Sequence, residues 1–355
     1  MAHIKKLAGQ TAIYGLSSVL GRLLNYLLVP IYTRIFVPEE YGVVTEFYAY
    51  VTFFLILFTY GMETAYFRFT SSKENDEDKI YSTSVFSLFG SSLIFSAILA
   101  FFSQHIATAI GYPDHSEYIT WFAIILAADA VTSIPFGRLR RENKAKRFAA
   151  IKLFTIGVNI LLNLFFLLVC PWLYNNGYAE LIEFIYNPSI GVGYVFISNL
   201  LSSLATVILL LPEFRKVELN FDKSLWKEML VYAFPLVIAG FAGMINETLD
   251  RILLKYLLPE TANPLAQLGI YGANYKLAIF MTLFIQAYRY AAEPFFFAQS
   301  ESKDRDKVYA EVMNYFVLTG SIIYVGIIIY LDVFKYFIGK EYHGGLHIVP
   351  ILLLA

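Results

Sequence analysis

DKIYSTSVFSLFGSSLIFSAILAFF, residues 78–102, opens on an Asp-Lys pair and then stays almost wholly apolar. A bilayer core about 30 Å thick takes roughly 20 helical residues to cross, so this stretch reads as a membrane span. Its opening returns as DKVY at 306–309, ahead of another apolar run, at a shift of 228 positions. The same shift carries Ile110-Gly111 onto Ile338-Gly339 and His115 onto His343, so the register holds across a whole span and both of its ends. A shift of 230 aligns the preceding spans, placing Tyr41-Gly42 on Tyr271-Gly272 and Glu63 on Glu293. A shift of 221 places Asn25 on Asn246 and Arg34 on Lys255. The repeat unit holds six spans, an even number, so both copies run the same way through the membrane. The expected fold is therefore an all-α integral membrane protein of two parallel six-helix repeats around a central cavity, a transporter arrangement. Residues 1–217 form the N-lobe and 218–355 bring the C-lobe to its third helix and the start of the next. A full second repeat would run to about residue 440, so the second lobe is expected to be truncated.

Composition agrees with this class. Apolar residues make up 58% of the 355 and charged ones only 15%. Apolar runs long enough to span fall at about 12–36, 43–67, 80–102, 118–137, 148–170, 189–211, 228–258, 270–297 and 309–331, and a tenth begins near 346. The first run is too long for the apolar region of a cleaved leader. Lysine and arginine crowd alternate connections: Lys5 and Lys6, then Arg68, Lys73 and Lys79, then the cluster RLRRENKAKR at 138–147, and later Arg215, Lys216, Lys303 and Arg305. The other connections hold only Lys335 and Lys340. Such an excess marks cytoplasmic loops and puts the N-terminus inside. Between two spans, RLRRENKAKR is a topological signal and no nucleic-acid patch, and membrane lipids are the neighbours it implies. PWLYNNGYAELIEFIYNP, 171–188, suits an aromatic helix lying at the outer interface.

Enzymatic chemistry finds little support. Cys170 is the single cysteine, and there is no Gly-rich phosphate loop. His343 and His347 have the i, i+4 spacing of a metal pair but lack further ligands, so neither metal nor cofactor is expected. The short outer loops argue against a membrane glycosyltransferase or polymerase.

Two segments carry a family resemblance: GLSSVLGRLLNYLLVPIYTRIFVPEEYGVVTEFYAYVTFFLILFTYGMETAYFRF at 15–69 and QAYRYAAEPFFFAQSESKDRDKVYAEVMNYF at 286–316. They resemble the polysaccharide or lipopolysaccharide biosynthesis flippases, relatives of multidrug extruders within one exporter superfamily. The resemblance implies two lobes in a V around a cavity open to one face at a time. It also implies transport of a polyprenyl-pyrophosphate-linked oligosaccharide, of the O-antigen kind, from the inner to the outer leaflet of a bacterial cytoplasmic membrane. A cation-coupled multidrug exporter shares the architecture and stays open as the alternative.

Charges inside the spans supply the candidate site. Arg22 lies about ten residues into the first span, deep enough that the cost of burying it, roughly 2.5–3.5 kcal/mol on the gentlest scale, calls for a use. It shares a helix face with Asn25, and Asn246 and Asp250 repeat that spacing on the seventh span beside Arg251. A pyrophosphate group is expected at Arg22 with Arg251 or Arg289, while Asn25, Asn246 and Asp250 face the cavity; alternatively Arg22 pairs with an acid in the N-lobe. Glu63 and Glu293, repeat mates near inner span ends, are either an inner gate or helix-end carboxylates paired with Arg68 or Arg289. Asp129, mid-span, is either the site of a coupling ion, proton or sodium, or the partner of Arg22 or a lysine. Lys152 is expected to snorkel at its span end.

Overall fold

The structure, a computed structural model, describes residues 20–21, 23–71, 76–286, 288 and 305–354. Among the described residues it is helical, with no strand. A bilayer leaves backbone groups no water to bond with, so helices that satisfy their own N–H and C=O groups are what such a sequence can form.

The nine expected spans resolve unevenly. Among the described residues, six stretches are long and apolar enough to cross a membrane: Pro38–Thr70, Glu77–Phe101, Ser116–Arg141, Ala145–Asn175, Lys223–Leu257 and Arg305–Ile329. A seventh, Pro264–Leu277 followed by Ile279–Gln286, is bent by 47°. The sixth expected span is a shorter apolar helix, Gly193–Leu209. The first falls largely outside the described residues, and its described part turns at Leu27 and Leu28 before the helix Val29–Ile35.

We label the helices used below α1 (Val29–Ile35), α2 (Pro38–Thr59), α3 (Met62–Thr70), α4 (Glu77–Phe101), α5 (Ser116–Arg141), α6 (Ala145–Leu164), α7 (Gly193–Leu209), α8 (Lys223–Leu257), α9 (Pro264–Leu277) and α10 (Arg305–Ile329). The repeat is visible in α4 and α10. They end at Phe101 and Ile329, 228 positions apart. The Asp76 carboxylate caps α4, accepting from the Asp78 and Lys79 N–H groups at 3.0 and 3.3 Å, and Glu77 and Asp78 complement the positive helix start.

Two local features correct the sequence reading. Arg138, Arg140 and Arg141 do not lie in a loop: they form the last turn of α5, where cations suit the negative helix end. The connection is only Glu142–Lys144, turned by Asn143 at φ 56°. The first part of 171–188 likewise prolongs a span. Pro171 would clash with the carbonyl four residues back, and a π-turn over Phe165–Val169 absorbs the misfit before Cys170–Asn175 resumes as α-helix. A short helix, Ala179–Ile182, follows.

The chain divides into two compact units. The first comprises Met1–Leu24 and Glu46–Leu253, and the second Asn25–Thr45 and Leu254–Ala355. In the first, Met62 and Tyr66 of α3, Ile80, Tyr81 and Leu88 of α4, Ile134 of α5 and Met229 of α8 make one core, and Phe136, Leu139, Phe148, Ile151 and Leu210 make another. In the second, glycines let α2 and α9 nearly touch. A Cβ on Gly269 would lie 1.9 Å from the Pro38 carbonyl oxygen, and one on Gly42 would lie 2.1 Å from that of Leu265. Arg34 belongs to this unit and anchors it, donating to the Pro30 and Tyr336 carbonyls at 2.7 Å each.

Candidate functional site

One face of α5 carries Asp129, Thr132, Ser133, Phe136 and Arg140, spaced i, i+3, i+4, i+7 and i+11. These side chains line a cavity of about 550 Å³ within the first unit. Phe148 and Lys152 of α6 and Thr206 of α7 form its other walls, and Leu55, Thr59, Gly61, Glu63 and Thr64 complete it. The last group is brought in by a break between α2 and α3. Tyr60 and Gly61 sit at φ 32° and 71°, so the apolar run that reads as continuous in sequence stops for one turn there. Gly61 suits that left-handed position, and Glu63 then falls in the first turn of α3. Pro135 is tolerated inside α5 although it has no N–H to donate.

The charges are ordered along this face. Asp129 lies deep among the helices yet open to the cavity, and its Oδ1 accepts from the Ser203 hydroxyl at 2.9 Å. Two turns further along, the Lys152 ammonium stands 4.2 Å from the centroid of the Phe136 ring. At the arginine-rich end, Arg140 pairs with Glu63 and also lies 4.9 Å from the centre of the Phe67 ring. Glu63 and Arg140 are each about one-third exposed.

Below this pair the arginines are tied down. Arg138 reaches Asp78 at 2.8 Å and Glu142 at 2.7 Å, and stacks over Tyr81. Arg141 pairs with Glu77, and Lys144 with Glu142. Glu213, wholly buried, meets Arg147 at 2.8 Å and Lys216 at 2.6 Å. Burial alone would raise the Glu142 carboxyl, but Lys144 and Arg138 outweigh it and hold the group down to about 2. Lys79 similarly holds Asp222 below the usual carboxylate range.

The structure thus brings Glu63 and Asp129 into one cavity, with Arg140 in place of Arg68 as the partner of Glu63 among the described residues. Lys152 lines that same cavity, a role its reading as a snorkelling residue missed. Asn246, Asp250 and Arg251 lie together on α8, within the first unit, whereas Asn25 belongs to the second. Arg22, Arg289 and Glu293 lie outside the described residues. Among the described residues no group of three His, Cys, Asp or Glu side chains could hold a metal ion.

The family profile described as "Polysaccharide biosynthesis protein" matches residues 7–300. The chain belongs to that family. Among solved structures, the chain is similar to an inward-facing multidrug resistance MATE family transporter of the MOP superfamily. The TM-score is 0.67 at 14% identity, over 97% of this chain and 78% of the other. It is also similar to the eukaryotic MATE transporter AtDTX14, with a TM-score of 0.57 at 16% identity, over 99% of this chain and 79% of the other. At such identities the likeness concerns the fold. No curated protein sequence matches. The chain is a multi-pass membrane protein of the polysaccharide biosynthesis family.

Proposed function

We propose that this protein is a flippase, moving a polyprenyl-pyrophosphate-linked oligosaccharide from the inner to the outer leaflet of a bacterial cytoplasmic membrane by alternating access. The observation that carries the reading is the match to the polysaccharide biosynthesis family over residues 7–300, joined to a polar cavity set among membrane-spanning helices. A glycan has to be screened from lipid in transit, and a hydroxyl-lined cavity with charges at its mouth and floor does that.

In this reading the N-terminus is cytoplasmic, and the arginine-rich end of the first unit faces inward. The lobes, 1–217 and 218–355, rock about the substrate. Arg22, Arg251 and Arg289 hold the pyrophosphate, whose oxygens suit the forked guanidinium donors, and Asn25, Asn246 and Asp250 contact sugar or phosphate. Glu63 and its partner Arg140 form the inner gate, matched by Glu293 in the other repeat, and Asp129 takes the coupling charge as a proton.

The test is transport in proteoliposomes loaded with a fluorescent lipid-linked oligosaccharide, scored by accessibility of the glycan to an external lectin. Wild type should expose the glycan over time, while Arg22→Ala should abolish exposure at unchanged protein level. Wild-type vesicles that expose no more glycan than empty ones would overturn the flippase reading. An active Arg22→Ala would overturn the site assignment alone.

A further inference from the structure

The hydroxyls that line the cavity face an occupant as acceptors. Thr59, Thr132, Ser133 and Thr206 each donate the hydroxyl proton to a carbonyl of their own helix, at 2.7, 2.8, 2.7 and 3.0 Å. Their oxygen lone pairs are left for whatever occupies the cavity. Asp129 adds a carboxylate, and within the described residues the one hydrogen bond it accepts from a side chain is that of Ser203. Oxygen ligands of this kind suit a hard cation. Of the cations lining the cavity, Arg140 is engaged by Glu63 and the Phe67 ring. Lys152 is different: among the described residues it makes no ion pair, and its ammonium rests on Phe136, seven residues along α5 from Asp129.

We propose that Lys152 is the resident cation of this cavity, its tethered ammonium standing as counter-charge to Asp129 so that the oxygen lining takes up no sodium ion. A lysine ammonium is a compact charge with three donors on a flexible stem, able to leave a ring face for a carboxylate on the same helix face. The tether keeps its local concentration far above that of any ion arriving from solution. A ring contact holds it less firmly than a fixed ion pair would, which leaves the charge free to move between Phe136 and Asp129 as the cavity changes shape. The proposal concerns what balances Asp129 and is independent of which glycan is exported.

The full chain in detergent provides the test, through its melting temperature in sodium chloride against choline chloride at equal ionic strength. Wild type should show no sodium-specific shift. Lys152→Ala keeps the carboxylate and hydroxyls but removes the occupant, so it should gain a saturable sodium-dependent rise of about 2–4 °C. Lys152→Gln, which preserves most of the side-chain volume, should gain the same rise and covers the case in which the alanine variant folds poorly. Adding Asp129→Asn should abolish the gain. A general loss of packing at Lys152 would not create a sodium-specific response. Sodium stabilisation already present in wild type, absent from both Lys152 variants, or surviving Asp129→Asn would overturn the proposal. Each of these outcomes is read without transport, so it is separate from success or failure of the flippase assay.

Discussion

Replacing Glu213 by glutamine removes one charge and keeps the shape, at a carboxylate with no exposed surface that faces Arg147 at 2.8 Å and Lys216 at 2.6 Å. Breaking a buried ion pair typically costs about 3–5 kcal/mol, because the charge left behind stays dry. Here the cations left behind are 39% and 34% exposed and can turn to water. Lys216 also has Glu142 at 3.7 Å as a second partner. The loss should therefore fall to roughly 2–3 kcal/mol. That corresponds to a drop in melting temperature of roughly 4–12 °C, using the slope for chains of a few hundred residues. The assay is thermal unfolding of purified protein in one detergent at 0.15 M and 1 M salt. A buried carboxylate is poorly screened, so the gap between wild type and variant should persist at high salt. A Glu213→Gln protein within about 1 °C of wild type, or a gap that closes at 1 M, would refute the reasoning.

Gly269→Ala puts a methyl 1.9 Å from the Pro38 carbonyl oxygen and should cost at least about 1–3 kcal/mol by forcing α2 and α9 apart, whereas Gly90→Ala, with open space around it, should be neutral or stabilising in thermal melts. The Glu142 carboxyl is depressed to about 2 in the folded protein against about 4.5 unfolded, so its contribution is present above pH 4.5 and is lost as pH falls toward 2; Glu142→Gln should flatten stability over that window. Glu63→Lys and Arg140→Glu should each slow glycan exposure while changing stability by under about 1 kcal/mol, since the pair is one-third exposed, and the double swap should restore transport. No recovery in the swap would rule out a gate that works through this pair.

How much of this was legible in the sequence depends on the length scale of the signal. Apolar runs and the DKIY/DKVY register are properties of one stretch of chain, and they located α4 and α10, which end 228 positions apart. The break at Tyr60 and Gly61 left no such mark. TYGMET interrupts the apolar run too briefly to be told from a continuous helix, although a glycine two residues before Glu63 was the available hint. Arg140 was hidden by its company: among six basic residues in ten it counted as loop charge, while the helix in fact runs to Arg141 and carries Arg140 on the face of Asp129. The i, i+4, i+7, i+11 series from Asp129 to Arg140 was present to be found. What no single-chain pattern states is which helix faces that series, so the contributions of Lys152 and Ser203, from α6 and α7, needed three dimensions.

The saturation of the arginine-rich end bears on how the protein enters the membrane. Topological sorting acts on a nascent chain, and at that stage the arginines of 138–147 present their charge in full. Glu63, Glu77 and Asp78 are made before them, but Glu213 follows about 70 residues later, so Arg147 waits for its partner through two further spans. Once folded, the same arginines are spent on carboxylates and offer anionic lipid headgroups much less than the sequence suggests. One set of charges therefore serves successively, first as an address and afterwards as mortar. A substitution such as Glu213→Gln separates the two duties, leaving the address intact while loosening the masonry.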